Sequence, residues 1–204
     1  MFLKIKRMDK RLFLGAFLSP IIVVLFVILL VVLGSEIFEL ERLLERLMHD
    51  LYPIMVPILI LYLAFLFVFN ILFHYRMWAA VYDERVDTTP ATAVIFLLIP
   101  FYNLYWIFKF YPGFVEYFNS RIARYNLDST VQQIDSAAFS TYPTVVVVGL
   151  ILGIIGVVIP LFSLFEGIVN LFGYILMLII ISKTCDAVNA LADAVERNAI
   201  AVDL

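Results

Sequence analysis

Apolar residues in this chain fall into long uninterrupted runs, and charged residues are confined to the gaps between them. Residues 12–34, 53–73, 142–165 and 167–182 contain no Lys, Arg, Asp or Glu. At about 1.5 Å per residue, a run of roughly 20 residues matches the hydrocarbon core of a bilayer. The pattern predicts an all-α integral membrane bundle with four spans, at about residues 12–33, 53–73, 143–163 and 167–185. A fifth charge-free run, residues 91–108, has Pro100 in its middle. Proline removes a backbone donor and clashes with the preceding turn, so residues 90–110 read as a broken, re-entrant or interfacial segment. The alternative is a kinked fifth span.

Between the runs the period changes. Residues 35–51 read as an amphipathic helix capped by Ser35, with Leu40, Leu43, Leu44 and Leu47 on one face and Glu41, Glu45 and Arg46 on the other. Residues 113–125 read as a second, interfacial one, with Phe114, Phe118 and Ile122 together. Residues 126–140 are polar and read as a loop. Helix three then opens at Thr141-Tyr142-Pro143 and ends at Pro160. Residues 164–167 make a tight outer turn that leaves Glu166 solvated. Helix four continues as a helical tail over 186–200, whose stripe of Asp186, Asn189, Asp193 and Glu196 reads as a wet face.

Charge chooses between four spans and five. The tail before residue 12 holds Lys4, Lys6, Arg7, Lys10 and Arg11. With five crossings, Lys and Arg divide 7 and 7 between the two sides; with four they divide 12 and 2. Cytoplasmic loops carry the Lys/Arg excess, so four spans with both termini cytoplasmic are expected. The first run is longer than a signal-peptide core and lacks a small-residue cleavage site, so it reads as an uncleaved anchor.

Composition agrees with this reading. The 204 residues are 64% hydrophobic, with a mean hydropathy of +1.04, above the roughly 50% of soluble domains. Cys185 is the only cysteine and reads as a packing residue. His49 and His74 are the only histidines and fall in different segments. Phosphate-cradling loops, zinc motifs and nucleophile elbows are missing from the sequence, and so is a basic patch suited to nucleic acid. No enzyme, cofactor or metal site is expected.

The polar residues that remain near the spans are functional candidates, because intramembrane polar groups are costly. Asn70 and His74 are four apart on one helix face; Asn103 follows Pro100; Asn170 lies in the fourth run. These four are the expected polar lining. Gly149, Gly153 and Gly156 form a small-residue stripe suited to close helix packing.

The central stretch Ile99-Pro100-Phe101-Tyr102-Asn103-Leu104-Tyr105-Trp106-Ile107-Phe108, between Thr89-Pro90 and Gly113, resembles a pattern of small bacterial multi-spanning proteins of unknown function. The resemblance covers about 30 of the 204 residues. It implies a bacterial membrane protein with a structurally important Pro100-Asn103 break, and it carries no activity; the expected location is the cell (inner) membrane. Two functions are therefore expected in competition. One is a homo-oligomeric pore or membrane-permeabilising assembly. The other is an accessory or scaffold subunit that holds a membrane partner.

Overall fold

The computed structural model describes residues 5–35, 40–83, 86–125, 127 and 131–202, and the side chains of these except 30, 31, 33–51 and 198–202. Among the described residues all regular structure is helical. The elements are α1 (Lys10–Ser35), α2 (Leu40–Ala79), α3 (Pro90–Leu98), α4 (Tyr102–Arg124), α5 (Ala137–Gly156) and α6 (Leu161–Val202). Four of them, α1, α2, α5 and α6, are long and apolar enough to cross a membrane.

The boundaries differ from the expected ones in several places. Ser35 ends α1 instead of capping a new helix, and the amphipathic stretch joins the second span in one 40-residue helix. Prolines 53 and 57 lie inside it, as spanning helices tolerate. The two faces expected over residues 35–51 lie outside the described side chains. α5 opens four residues before Thr141 and ends at Gly156. The turn between α5 and α6 lies at residues 157–160, and Glu166 is inside α6. Proline suits the residue just before a helix as well as the one just after it, and here Pro160 precedes α6.

The chain packs as two units, residues 11–72 and residues 1–10 with 73–204. In the first, α1 and α2 run antiparallel. Phe13 meets Phe69 edge-on at 6.1 Å, and Ser19 Oγ lies 2.8 Å from the Tyr62 hydroxyl. Pro20 cannot donate to the carbonyl of Ala16, four residues back. The Ser19 hydroxyl donates there instead, at 2.7 Å. A side chain thus restores a bond that lipid could not supply.

In the second unit a core of aromatic rings forms where α4 packs against the start of α5, with the Tyr111 hydroxyl reaching Met177 of α6. Phe73, Phe110, Phe114, Phe118 and Phe139 are fully buried, as are Ile180, Ile181 and Leu191 along α6. Residues 113–125, expected as an interfacial helix, are the second half of α4 and supply part of this core. Buried Arg121 donates to the carbonyl of Ala80 at 2.8 Å, and Arg124 pairs with Asp83 at 2.7 Å. Desolvation pulls the Arg121 guanidinium below its usual pKa, yet arginine remains charged.

Two extended segments are held to this core by the same device. The Asn119 amide donates to the carbonyl of Ile134 at 3.0 Å and accepts from its N–H at 2.8 Å. The Asn189 amide does the same for Met8, at 2.9 and 2.7 Å. Arg7 pairs with Asp193 and Glu196, and Lys10 with Asp186. The stripe expected as a wet face is therefore the seat of the N-terminal segment.

Candidate functional site

α5 and α6 form an antiparallel hairpin whose interface is polar on one side and glycine on the other. Along α5 the glycines recur at 149, 153 and 156. Along α6, Asn170, Glu166 and Ser163 face them in reverse order. A methyl group on Gly149 would lie 2.6 Å from Asn170 Oδ1; one on Gly153 would lie 3.0 Å from Glu166 Oε1; one on Gly156 would lie 2.7 Å from Ser163 Oγ. Only hydrogen at Cα leaves room for these oxygens. A fourth step, Gly173 against Val145, reverses the roles of the two helices and is apolar.

Asn170 Nδ2 donates to Glu166 Oε1 at 3.3 Å, a one-turn spacing that lets the pair share a face. Measured along α6 from Leu161, Glu166 is about 7 Å and Asn170 about 14 Å into the helix. Around them, Leu164, Phe165, Ile168, Leu171 and Phe172 are exposed and apolar. The seam is rich in oxygen acceptors and carries no Lys or Arg side chain. It can accept protons or coordinate a positive ion. A nucleophile with an oriented base is not part of it, and no group of His, Cys, Asp and Glu able to hold a metal occurs among the described residues.

Of the expected polar residues, His74, Asn103 and Asn170 lie at separate places in the unit that includes residues 73–204, and Asn70 belongs to the other unit. Asn170 joins the seam with Gly149, Gly153 and Gly156, so the stripe packs within the chain. Asn70 is exposed on α2 in the unit of residues 11–72. His74 is buried in the aromatic core, with Nε2 2.8 Å from the Tyr111 hydroxyl and its ring against Phe73 and Phe110. Asn103 is half-buried just after the Pro100 turn, and its Oδ1 is buried without a hydrogen-bond partner. Pro100 does mark the break: α3 stops at Leu98 and α4 starts at Tyr102.

Glu166 and Ser163 were not among the residues expected at a site. The available signal was the 3-4 spacing of Ser163, Glu166 and Asn170 on one helical face, which placing the turn at 164–167 obscured.

No protein-family model, curated protein or solved structure matches the chain. The motif around Pro100 therefore stands on its geometry alone.

Proposed function

We propose that several copies of this protein assemble in the membrane around a polar path lined by the Ser163–Glu166–Asn170 face of α6. The supporting observation is the hydrogen-bonded Glu166–Asn170 pair inside a candidate span, with Asn170 exposed among apolar side chains of the first part of α6. Ionisable side chains within spanning segments are rare and face the bundle interior or a water-filled cavity. Such a group belongs against water or another polar surface, and a ring of copies supplies both. The spans leave room for this. Of their apolar windows only 11, 6, 22 and 28% is buried inside the chain, so most of their surface is free for lipid or for neighbouring copies.

One observation favours the second reading, an accessory subunit. Beside the loop before α5, an open cleft of about 360 Å³ is lined by Gln132, Gln133, Ile134, Asp135, Lys183, Asp186, Ala187 and Ala190. It lies outside the apolar runs and suits a segment of a membrane partner that carries both polar and apolar side chains.

Cysteine cross-linking in membranes separates the two. With the path lined by α6, Asn170→Cys forms disulfide-linked dimers on mild oxidation. Phe172→Cys, on the opposite side of the helix, does not. Equal yields at both positions, or none at either in inserted protein, contradict the assembly and leave the accessory reading.

A further inference from the structure

Residues 88–108 carry no charge and lie between Asp87 and Lys109. They fold as α3, a turn, and the first part of α4. α3 has nine residues, about 13 Å of helix. That is less than half of the roughly 30 Å hydrocarbon core, so this arm can enter one leaflet and cannot cross.

The corner closes its own backbone. Tyr102 N–H donates to Pro100 O at 2.7 Å, Asn103 N–H to Ile99 O at 2.9 Å, and Leu104 N–H to Phe101 O at 3.2 Å. The Trp106 indole donates to the Ala93 carbonyl at 2.8 Å, joining the two arms. The Phe96 ring sits edge-on to Tyr102 and Trp106, at 4.9 and 5.0 Å. Satisfied backbone is what a non-helical turn needs at membrane depth.

Packing sets the direction in which the corner points. Tyr111 meets Tyr142 at 4.9 Å, Phe114 meets Phe139 at 5.8 Å, and Asn119 holds Ile134. As α4 advances, its partners step back along the chain, so α4 and α5 are antiparallel. The start of α4 therefore points the way the apolar part of α5 travels. Ten residues separate Tyr111 from Phe101, about 15 Å of helix. For near-parallel axes this sets Phe101 about level with Leu152, next to Ile151 and inside the candidate span of α5.

Phe101 itself is held in an uncommon way. Its φ of 63° and ψ of −44°, with the bond from Tyr102 to Pro100, make the rarer and strained form of γ-turn. A bulky residue at positive φ is a genuine outlier. Glycine would fit there with less strain. The phenyl group is 89% exposed, so it offsets none of that strain by contacts within the chain.

From these observations we infer that the α3–α4 corner is a re-entrant wedge, seating Phe101 with Ile95, Leu98, Ile99 and Tyr105 among the acyl chains of one leaflet. All five side chains are exposed and apolar or aromatic. They belong to the same unit as α5 and α6, whose exposed apolar residues cover candidate spans, and lipid is the occupant that suits both surfaces.

Nitroxide labels in protein reconstituted into phospholipid vesicles test this directly. Labels go on Phe101→Cys, on Ile151→Cys as the span reference and on Gln133→Cys as the water reference, with unsubstituted protein as the control for buried Cys185. At position 101 the wedge gives collision with oxygen as high as at 151, and collision with a water-soluble nickel chelate severalfold lower than at 133. Nickel collision equal to that at 133 overturns it, because the corner is then in water. Low collision with both reagents also overturns it, because protein then covers the corner. Phe101→Trp gives a second readout: bromine-labelled acyl chains quench the added fluorescence when the corner is inserted and leave it unchanged when it is not.

Discussion

Asn170 Oδ1 rests where a side chain on Gly149 would have to go, 2.6 Å from the position of its absent Cβ. The same relationship recurs at Gly153 with Glu166 and at Gly156 with Ser163, but the three steps differ in what can yield. At 149 and 153 the obstacle is the far end of a side chain. At 156 a methyl group would also meet the backbone of Ser163, with N at 3.2 Å and Cα at 3.4 Å.

Gly156→Ala is therefore expected to destabilise the hairpin by about 1–3 kcal/mol, the usual cost of overpacking. Gly153→Ala should cost less, since the Glu166 carboxylate can swing aside. Unfolding of the two variants in the same detergent checks the order. A larger loss at 153 than at 156 would contradict the packing described.

Asn119→Ala removes both partners of the Ile134 backbone. Leaving a buried donor and acceptor unmade costs about 1–3 kcal/mol. The expected readout is a lower unfolding midpoint and faster amide exchange at Ile134, with α5 otherwise intact. Unchanged exchange at that amide would show that the clamp carries no weight.

The N-terminal segment should respond to Asn189 more than to Arg7. The Arg7 ion pairs are largely exposed, at 64% against 47 and 66%, and exposed pairs contribute about 0–1 kcal/mol. The Asn189 amide instead makes two bonds to Met8, which is 2% exposed. Trypsin cleavage near residues 6–11 is expected to rise strongly in Asn189→Ala and only slightly in Arg7→Ala. The reverse order would assign the docking to charge.

Acid should loosen the start of α5. The Asp135 carboxylate accepts from Ala137 N–H at 3.2 Å and pairs with Lys183, and these interactions hold its pKa below the usual value. A lowered folded-state pKa stabilises at pH above the ordinary carboxylate value near 4, and that stabilisation is lost as pH falls through the lowered pKa. Protection of the Ala137 amide, corrected for its intrinsic rate, should therefore drop below about pH 4. Asp135→Asn should abolish that drop. A pH-independent protection factor would contradict the assignment.

The four long helices and the break at Pro100 were legible because both rest on local signals, absent charge and a proline without a donor. The hairpin turn was misplaced because Glu166-Gly167 has the composition of a turn, while its placement depends on the packing of α6 against glycines in α5. The acidic stripe of α6 was read as solvated because its partners, Arg7 and Lys10, lie more than 170 residues away. Those same residues also satisfied the charge rule for topology. The Asn119 and Asn189 clamps leave no mark in sequence, since an asparagine that bonds a distant backbone looks like any polar surface residue.

The most direct test of the proposed polar path is potassium flux in vesicles holding purified, fully inserted protein, with Asn170→Leu and Glu166→Gln measured beside it. A path along this face of α6 gives flux well above empty vesicles in the unsubstituted protein and altered flux in both variants. No flux from inserted protein, or flux that neither substitution changes, would contradict it.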